Sequence, residues 1–118
     1  MKLIIKDELT LQSLQEAFSA EFRYLKIEFF SRLHEPGTAS GLKNKLYNTK
    51  TIGECRTVRT EGELEVTPEM TVAEFEQTMG KFYGLGVQVF RKTITGNWIE
   101  TINTDGWTLK EHDAEPTA

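Results

Sequence analysis

The feature that most constrains the fold is a helix start written into the second half of the chain. Thr71 precedes Val72-Ala73-Glu74, and the Thr-x-x-Glu spacing forms a capping box in which hydroxyl and carboxylate satisfy each other's backbone N–H. Met70 and Phe75 flank the cap as a hydrophobic staple. Val72, Phe75, Met79 and Phe82 recur at spacings of three and four, which makes one helix face apolar. Glu76, Gln77 and Lys81 fall on the other face, and Gly84 stops the helix. Before the cap, Leu64 and Val66 alternate with Glu63, Glu65 and Thr67 until Pro68 ends the strand. After the helix, Leu85, Val87 and Val89 alternate with Gly86, Gln88 and Phe90. Gly62 to Lys92 therefore reads as strand, capped helix, strand.

The same pattern opens the chain about 60 residues earlier. Leu3 and Ile5 correspond to Leu64 and Val66. Leu9 and Thr10 correspond to Met70 and Thr71, and Leu14 and Phe18 to Phe75 and Met79. With a one-residue slip, Phe22, Leu25, Ile27, Phe29 and Phe30 correspond to Phe82, Leu85, Val87, Val89 and Phe90. Each copy also ends on a short capping box, Thr51 to Glu54 and Thr108 to Glu111. Two such units predict one α+β domain over residues 1–110, with one repeat over about 1–54 and the other over about 62–111. The expected architecture is a single sheet with both helices on one face, in the ferredoxin-like βαββαβ order. Residues 111–118, acidic and containing Pro116, are expected to be a disordered tail.

Between the copies, 31–50 contains Pro36, Gly37, Ser40 and Gly41 and reads as a loop. Lys45 to Tyr47 within it reads as a short strand returning from Phe29. Arg56 to Arg59 reads as a strand segment that precedes Gly62 to Val66. Gly96-Asn97 is a hairpin turn that brings Trp98 to Ile102 back along the preceding strand.

A β-grasp is the alternative architecture. Leu64-Glu65-Val66, Pro68, Thr71-Val72 and Asp105-Gly106-Trp107-Thr108-Leu109 make Arg56 to Glu111 similar to the ubiquitin family, over about half the chain. The resemblance implies that fold alone. Glu115-Pro116-Thr117-Ala118 lacks the terminal diglycine, so conjugation or sulfur carriage is not implied.

The residues carry little chemistry. Cys55 is the single cysteine and cannot form an intrachain disulfide; it reads as a small apolar residue. The two histidines stand in the adjacent pairs His34-Glu35 and His112-Asp113, a spacing that does not converge on a metal. Gly84-Leu85-Gly86 follows a helix, whereas a phosphate-cradling loop precedes one. The carboxylates Glu63, Glu65, Glu69, Glu74 and Glu76 are assigned to solvent faces and caps. No catalytic residue, cofactor or metal is expected, and the protein reads as non-enzymatic.

A net charge of −4 and a pI near 5.2 speak against a general nucleic-acid binder. The basic 43–59 segment, with Lys43, Lys45, Lys50, Arg56, Arg59 and Tyr47, is the exception to weigh. No apolar run approaches the roughly 18 residues of a membrane span, and MKLIIKDELT lacks the pattern of a signal peptide, so the expected location is cytoplasmic.

The functional expectation is apolar. Alternation leaves Phe30 and Phe90 on the sheet face away from the helices, where Ile4 and Trp98 join them as a candidate interaction face. The first reading is a binding or assembly module that uses this face with a protein partner or as a homodimer. The alternative is a ligand-binding domain or small enzyme with a pocket near Cys55 and the 31–50 loop. A further alternative is nucleic-acid contact through the basic segment.

Overall fold

The computed structural model describes residues 1–31, 45–58 and 60–116. Among these residues it is an α+β fold with two antiparallel sheets and four α-helices. The elements run β1 (Lys2–Ile5), α1 (Leu11–Glu21), β2 (Leu25–Phe30), α2 (Ile52–Cys55), β3 (Gly62–Glu65), α3 (Val72–Tyr83), β4 (Gly86–Lys92), β5 (Trp98–Glu100) and α4 (Leu109–His112). A 3₁₀ turn at Ile102–Thr104 precedes α4. His34 and Lys43 of the expected 31–50 loop, Arg59, Thr117 and Ala118 lie outside the described residues.

The expected single sheet divides in two. β1 pairs with β3, Leu3 opposite Leu64, and β2 pairs with β4, Ile27 opposite Val89 and Phe29 opposite Val87. β5 folds back on β4 with Arg91 opposite Ile99 and Lys92 opposite Trp98. The reason lies at the strand edges, where helix side chains take the place of a further strand. Three alternate carbonyls along one edge of β2 already have donors: Ser19 Oγ to Leu25 O at 3.0 Å, Gln15 Nε2 to Ile27 O at 2.9 Å, and Leu46 N–H to Phe29 O at 2.8 Å. On β4, Glu76 Oε2 accepts the buried Val89 N–H at 2.8 Å, and Thr101 Oγ1 donates to Val89 O at 3.0 Å. An edge whose polar groups are satisfied requires no continuation of the ladder. Of the strand expected over Lys45 to Tyr47, the described residues show only the Leu46 bond and the isolated Phe30–Lys45 bridge.

One core joins both halves. Leu3, Ile5, Leu25, Ile27, Phe29, Val87 and Val89 face α1 and α3 from the two sheets. The Phe18 ring of α1 lies 5.1 Å from the Phe75 ring of α3, within the range of tilted aromatic pairing. Two residues of α3 sit opposite to expectation. Phe82 is 60% exposed, while Tyr83 is buried and donates its hydroxyl hydrogen to Glu63 O at 3.4 Å. Glu76, assigned by its spacing to solvent, is buried. The inward stripe is therefore Val72, Phe75, Glu76, Met79 and Tyr83, rotated from the one that runs through Phe82.

The caps recur in both halves. Thr10 and Thr71 cap the long helices and bridge to Thr51 and Thr108, which cap the short ones. Leu11 N–H donates to Lys50 O at 2.9 Å and Ile52 N–H to Leu9 O at 2.8 Å. Val72 N–H donates to Trp107 O at 3.0 Å and Leu109 N–H to Met70 O at 2.8 Å. Both short helices carry reciprocal capping boxes, Thr51 with Glu54 and Thr108 with Glu111. Glu111 and His112 thus belong to α4, although their composition suggested the tail. Arg56 to Val58 do not form the expected strand, because Thr57 N–H turns to Gly84 O.

Candidate functional site

The three-stranded sheet has no helix on its outer face among the described residues. Alternation on β2 turns Lys26, Glu28 and Phe30 outward, β4 turns Gln88, Phe90 and Lys92, and β5 turns Trp98 and Glu100. The face is not uniform. Phe30 is 2% exposed and Gln88 1%, so that end is covered. The other end is open. There Lys26 Nζ lies 5.4 Å from the Phe90 ring centroid and 5.2 Å from that of Trp98, and Lys92 Nζ lies 6.0 Å from Trp98. Lys26 also pairs with Glu28 at 3.2 Å.

The four residues picked from the sequence are therefore not one surface. Phe90 and Trp98 share the open end. Phe30, opposite Gly86, is at the covered end, four positions along the ladder from the Lys26–Phe90 pair. Ile4 belongs to the β1–β3 ribbon, opposite Glu63. The lysines are what the sequence reading missed. Lys26 is cross-strand from Phe90 and Lys92 from Trp98, a placement that depends on the register of two pairings and is not visible in either strand alone.

At the same end of β4 but toward the helices, a cleft of about 320 Å³ is lined by Arg91, Lys92, Thr104, Trp107, Glu111 and His112. The His112 ring is buried and stacks on the half-exposed Trp107 ring, with centroids 5.2 Å apart. Its Nε2 lies 2.7 Å from Thr104 O, so Nε2 carries the proton and donates. Nδ1 is buried without a hydrogen-bond partner. Burial holds the imidazole below its ordinary value of 6.5, against the Thr104 bond that favours protonation, and Arg91 adds to the depression.

A second cleft, about 440 Å³, lies against Glu28, Lys45, Leu46, Tyr47 and Asn48. Cys55, expected near such a pocket, does not line it. Cys55 is half-buried, and burial pushes its thiol up, away from nucleophilic character. The basic segment is dispersed too. Lys45 pairs with Glu28 at 3.5 Å. Arg56, with its side chain 5% exposed, contacts Asp7 Oδ1 at 2.6 Å, a close charge pair whose N–H directions miss hydrogen-bond alignment. No group of three metal-ligating side chains forms among the described residues, and none of their helices is long and apolar enough to cross a membrane.

Compared with known proteins, the chain matches no family model, no curated protein and no solved structure.

Proposed function

We propose that the protein is a non-enzymatic binding module that holds an acidic, partly apolar segment of a protein partner on the open end of the β2–β4–β5 face. The observation that carries this reading is the placement of Lys26 and Lys92 over the Phe90 and Trp98 rings. Long lysine side chains normally lose rotamer freedom when they bind. Here the rings, and for Lys26 also the Glu28 carboxylate at 3.2 Å, hold the ammonium groups in place beforehand, each ring contact with attraction of about 0.5–1 kcal/mol at an exposed site. The result is two positioned cations flanking a tryptophan that is 36% exposed. Tryptophan is among the residues that dominate binding energy when a partner covers it. Carboxylates of the partner meet the lysines while its apolar side chains pack on the indole.

The geometry also argues against the symmetric homodimer through Phe30 and Phe90. Phe30 is buried at the covered end, four positions along the ladder from the Lys26–Phe90 pair, so Phe30 and Phe90 do not form one self-complementary surface. The matched caps and bridges of the two halves support an internal duplication, in which the second copy has acquired the β5 hairpin and with it Trp98.

A peptide library displayed on phage and selected on the whole protein tests this reading. Enriched peptides are expected to combine Asp or Glu with Leu, Phe or Trp and to lose binding to Trp98→Ala and to Lys26→Glu with Lys92→Glu. Binding is also expected to weaken as salt rises. No enrichment, or enriched peptides that bind Trp98→Ala as well as the parent, refutes it.

A further inference from the structure

We propose that His112 is a pH-operated latch that holds the end of α4 and the segment to Pro116 against the sheet while neutral and releases them when protonated. This goes beyond the partner-binding reading and does not rest on it.

The geometry supplies the two states. In the closed state Nε2–H donates to Thr104 O at 2.7 Å and the ring lies under Trp107. Nδ1 is then a bare, buried acceptor, which a neutral imidazole tolerates. A proton on Nδ1 creates a buried N–H with no acceptor and a positive charge beside Arg91. Both penalties are relieved when the ring leaves its place.

The groups around the ring favour opening rather than a quiet titration. From β4, Arg91 and Lys92 line the same cleft as His112, and both are cationic. From α4 itself, Glu111 favours the imidazolium, but it is exposed and its Oε1 is held by the Thr108 N–H at 2.8 Å. Glu115, in the segment that would leave, also lines the cleft. Asp113 Oδ1 is taken by the Tyr24 N–H at 2.8 Å. From the Thr104–Trp107 turn, which also carries the Asp105 carboxylate, the ring meets the Trp107 indole face and the Thr104 carbonyl, and that carbonyl already accepts the Trp107 N–H at 3.0 Å.

What moves is set by the other anchors. The turn is fixed to the start of α3 by Ala73 N–H to Asp105 O at 2.7 Å and Val72 N–H to Trp107 O at 3.0 Å. The start of α4 is fixed by Leu109 N–H to Met70 O and Lys110 N–H to Pro68 O. Past His112 the described tail is tied to the sheet by Asp113 and Tyr24. Opening must therefore break the Asp113–Tyr24 bond and the bonds that close the end of α4, His112 N–H to Thr108 O at 3.2 Å and Asp113 N–H to Leu109 O at 2.8 Å. Departure of the last turn of α4 and the residues after it takes Glu111 and Glu115 out of the cleft they share with Arg91 and Lys92 and leaves the end of β4 more cationic.

The sign follows from the depressed folded value. The closed state binds fewer protons than the open one, so closure is fully favoured above the ordinary value of 6.5 and is lost as pH falls through the lower folded value. Each unit of depression gives about a tenfold rise in the open population once both forms are protonated.

The test uses the whole chain with His34→Gln, which leaves His112 as the single histidine, between about pH 7.5 and about pH 5. The ring is followed by NMR, and exchange of the His112 and Asp113 amides by hydrogen–deuterium exchange corrected for the intrinsic pH dependence. Trp107 fluorescence is followed with Trp98→Phe. The expected result is a ring midpoint below 6.5, with amide protection and Trp107 emission changing over the same range. His112→Gln, whose Nε2 can still donate to Thr104 O, is expected to make both readouts independent of pH. A midpoint at or above 6.5, or protection that stays constant through the ring's titration, overturns the proposal. A pH response that persists in His112→Gln also overturns it. If His112→Gln fails to fold, the ring midpoint and the exchange data on the parent decide alone.

Discussion

Replacing Glu76 with Ala tests the account of why the sheet stops where it does. The Glu76 carboxylate is buried in α3 and accepts the Val89 N–H at 2.8 Å, in a part of β4 that is itself buried. Truncation removes a buried hydrogen bond to the Glu76 carboxyl, worth about 0.5–3 kcal/mol. It also leaves a buried donor on β4 without this partner, where water enters only by disturbing the packing of Val89 and Met79 against the core. A loss of about 2–3 kcal/mol is the expected result, read as a lower urea midpoint with an unchanged slope. Glu76→Gln retains an acceptor oxygen at nearly the same place, so it is expected to recover about half of that loss or more. The local signature is the Val89 amide, whose hydrogen exchange is expected to accelerate more in Glu76→Ala than that of Val87 on the same strand. A Glu76→Ala protein less than about 0.5 kcal/mol weaker than the parent, with Val89 exchange unchanged, would refute the edge-sealing argument. It would also require another reason for the separation of the two sheets.

Two further outcomes follow from backbone geometry and the caps. Gly84 has φ of +65° and an added Cβ would lie 2.3 Å from Val58 N, so Gly84→Ala combines left-handed strain with a backbone clash and is expected to cost more than about 2 kcal/mol in urea unfolding. Gly96→Ala, at φ +86° with open space around it, carries the strain alone and is expected to cost about 1 kcal/mol; equal losses at the two sites would contradict this. Glu111 is held below its ordinary value of 4.5 by the Thr108 backbone and side chain, so its contribution is present above 4.5 and disappears as pH falls through the depressed value. Carboxyl NMR is expected to show a midpoint below 4.5 that moves back toward it in Thr108→Ala, and an unmoved midpoint would count against the capping box.

The elements were legible where local chemistry dictates them. Thr10, Thr51, Thr71 and Thr108 each announce a helix start, and all four hydroxyls accept the expected backbone N–H. The alternation of Leu25 to Phe29 and Val87 to Val89 marks core-facing strand residues that are buried. What the sequence did not show depends on pairing between distant segments. Whether four strands make one sheet or two turns on Gln15, Ser19 and Glu76, polar residues whose helical positions alone suggest solvent. One sign was available: Gln15 and Glu76 follow Leu14 and Phe75 at corresponding places in the two halves, so both flank the apolar stripe. His112 had a similar sign in Cys55, since both end a short capped helix begun by Ile52 or Leu109. The open face was half legible. The aromatic side chains on it followed from alternation, but the lysines over them required the β2–β4 and β4–β5 registers.

The division of labour between the bonds bears on how the chain comes apart. The caps and bridges at Thr10–Thr51 and Thr71–Thr108 lie within one half each, whereas the β1–β3 and β2–β4 ladders join the halves. Neither half holds a complete sheet. Each would present unpaired strands and one side of the Phe18–Phe75 contact to water if the other left. Helix starts can therefore form early and locally, while the sheets and the core arrive together. Loss of either half removes partners from both sheets at once, so unfolding is expected to proceed as one cooperative transition, with no stage at which one half stands and the other has gone.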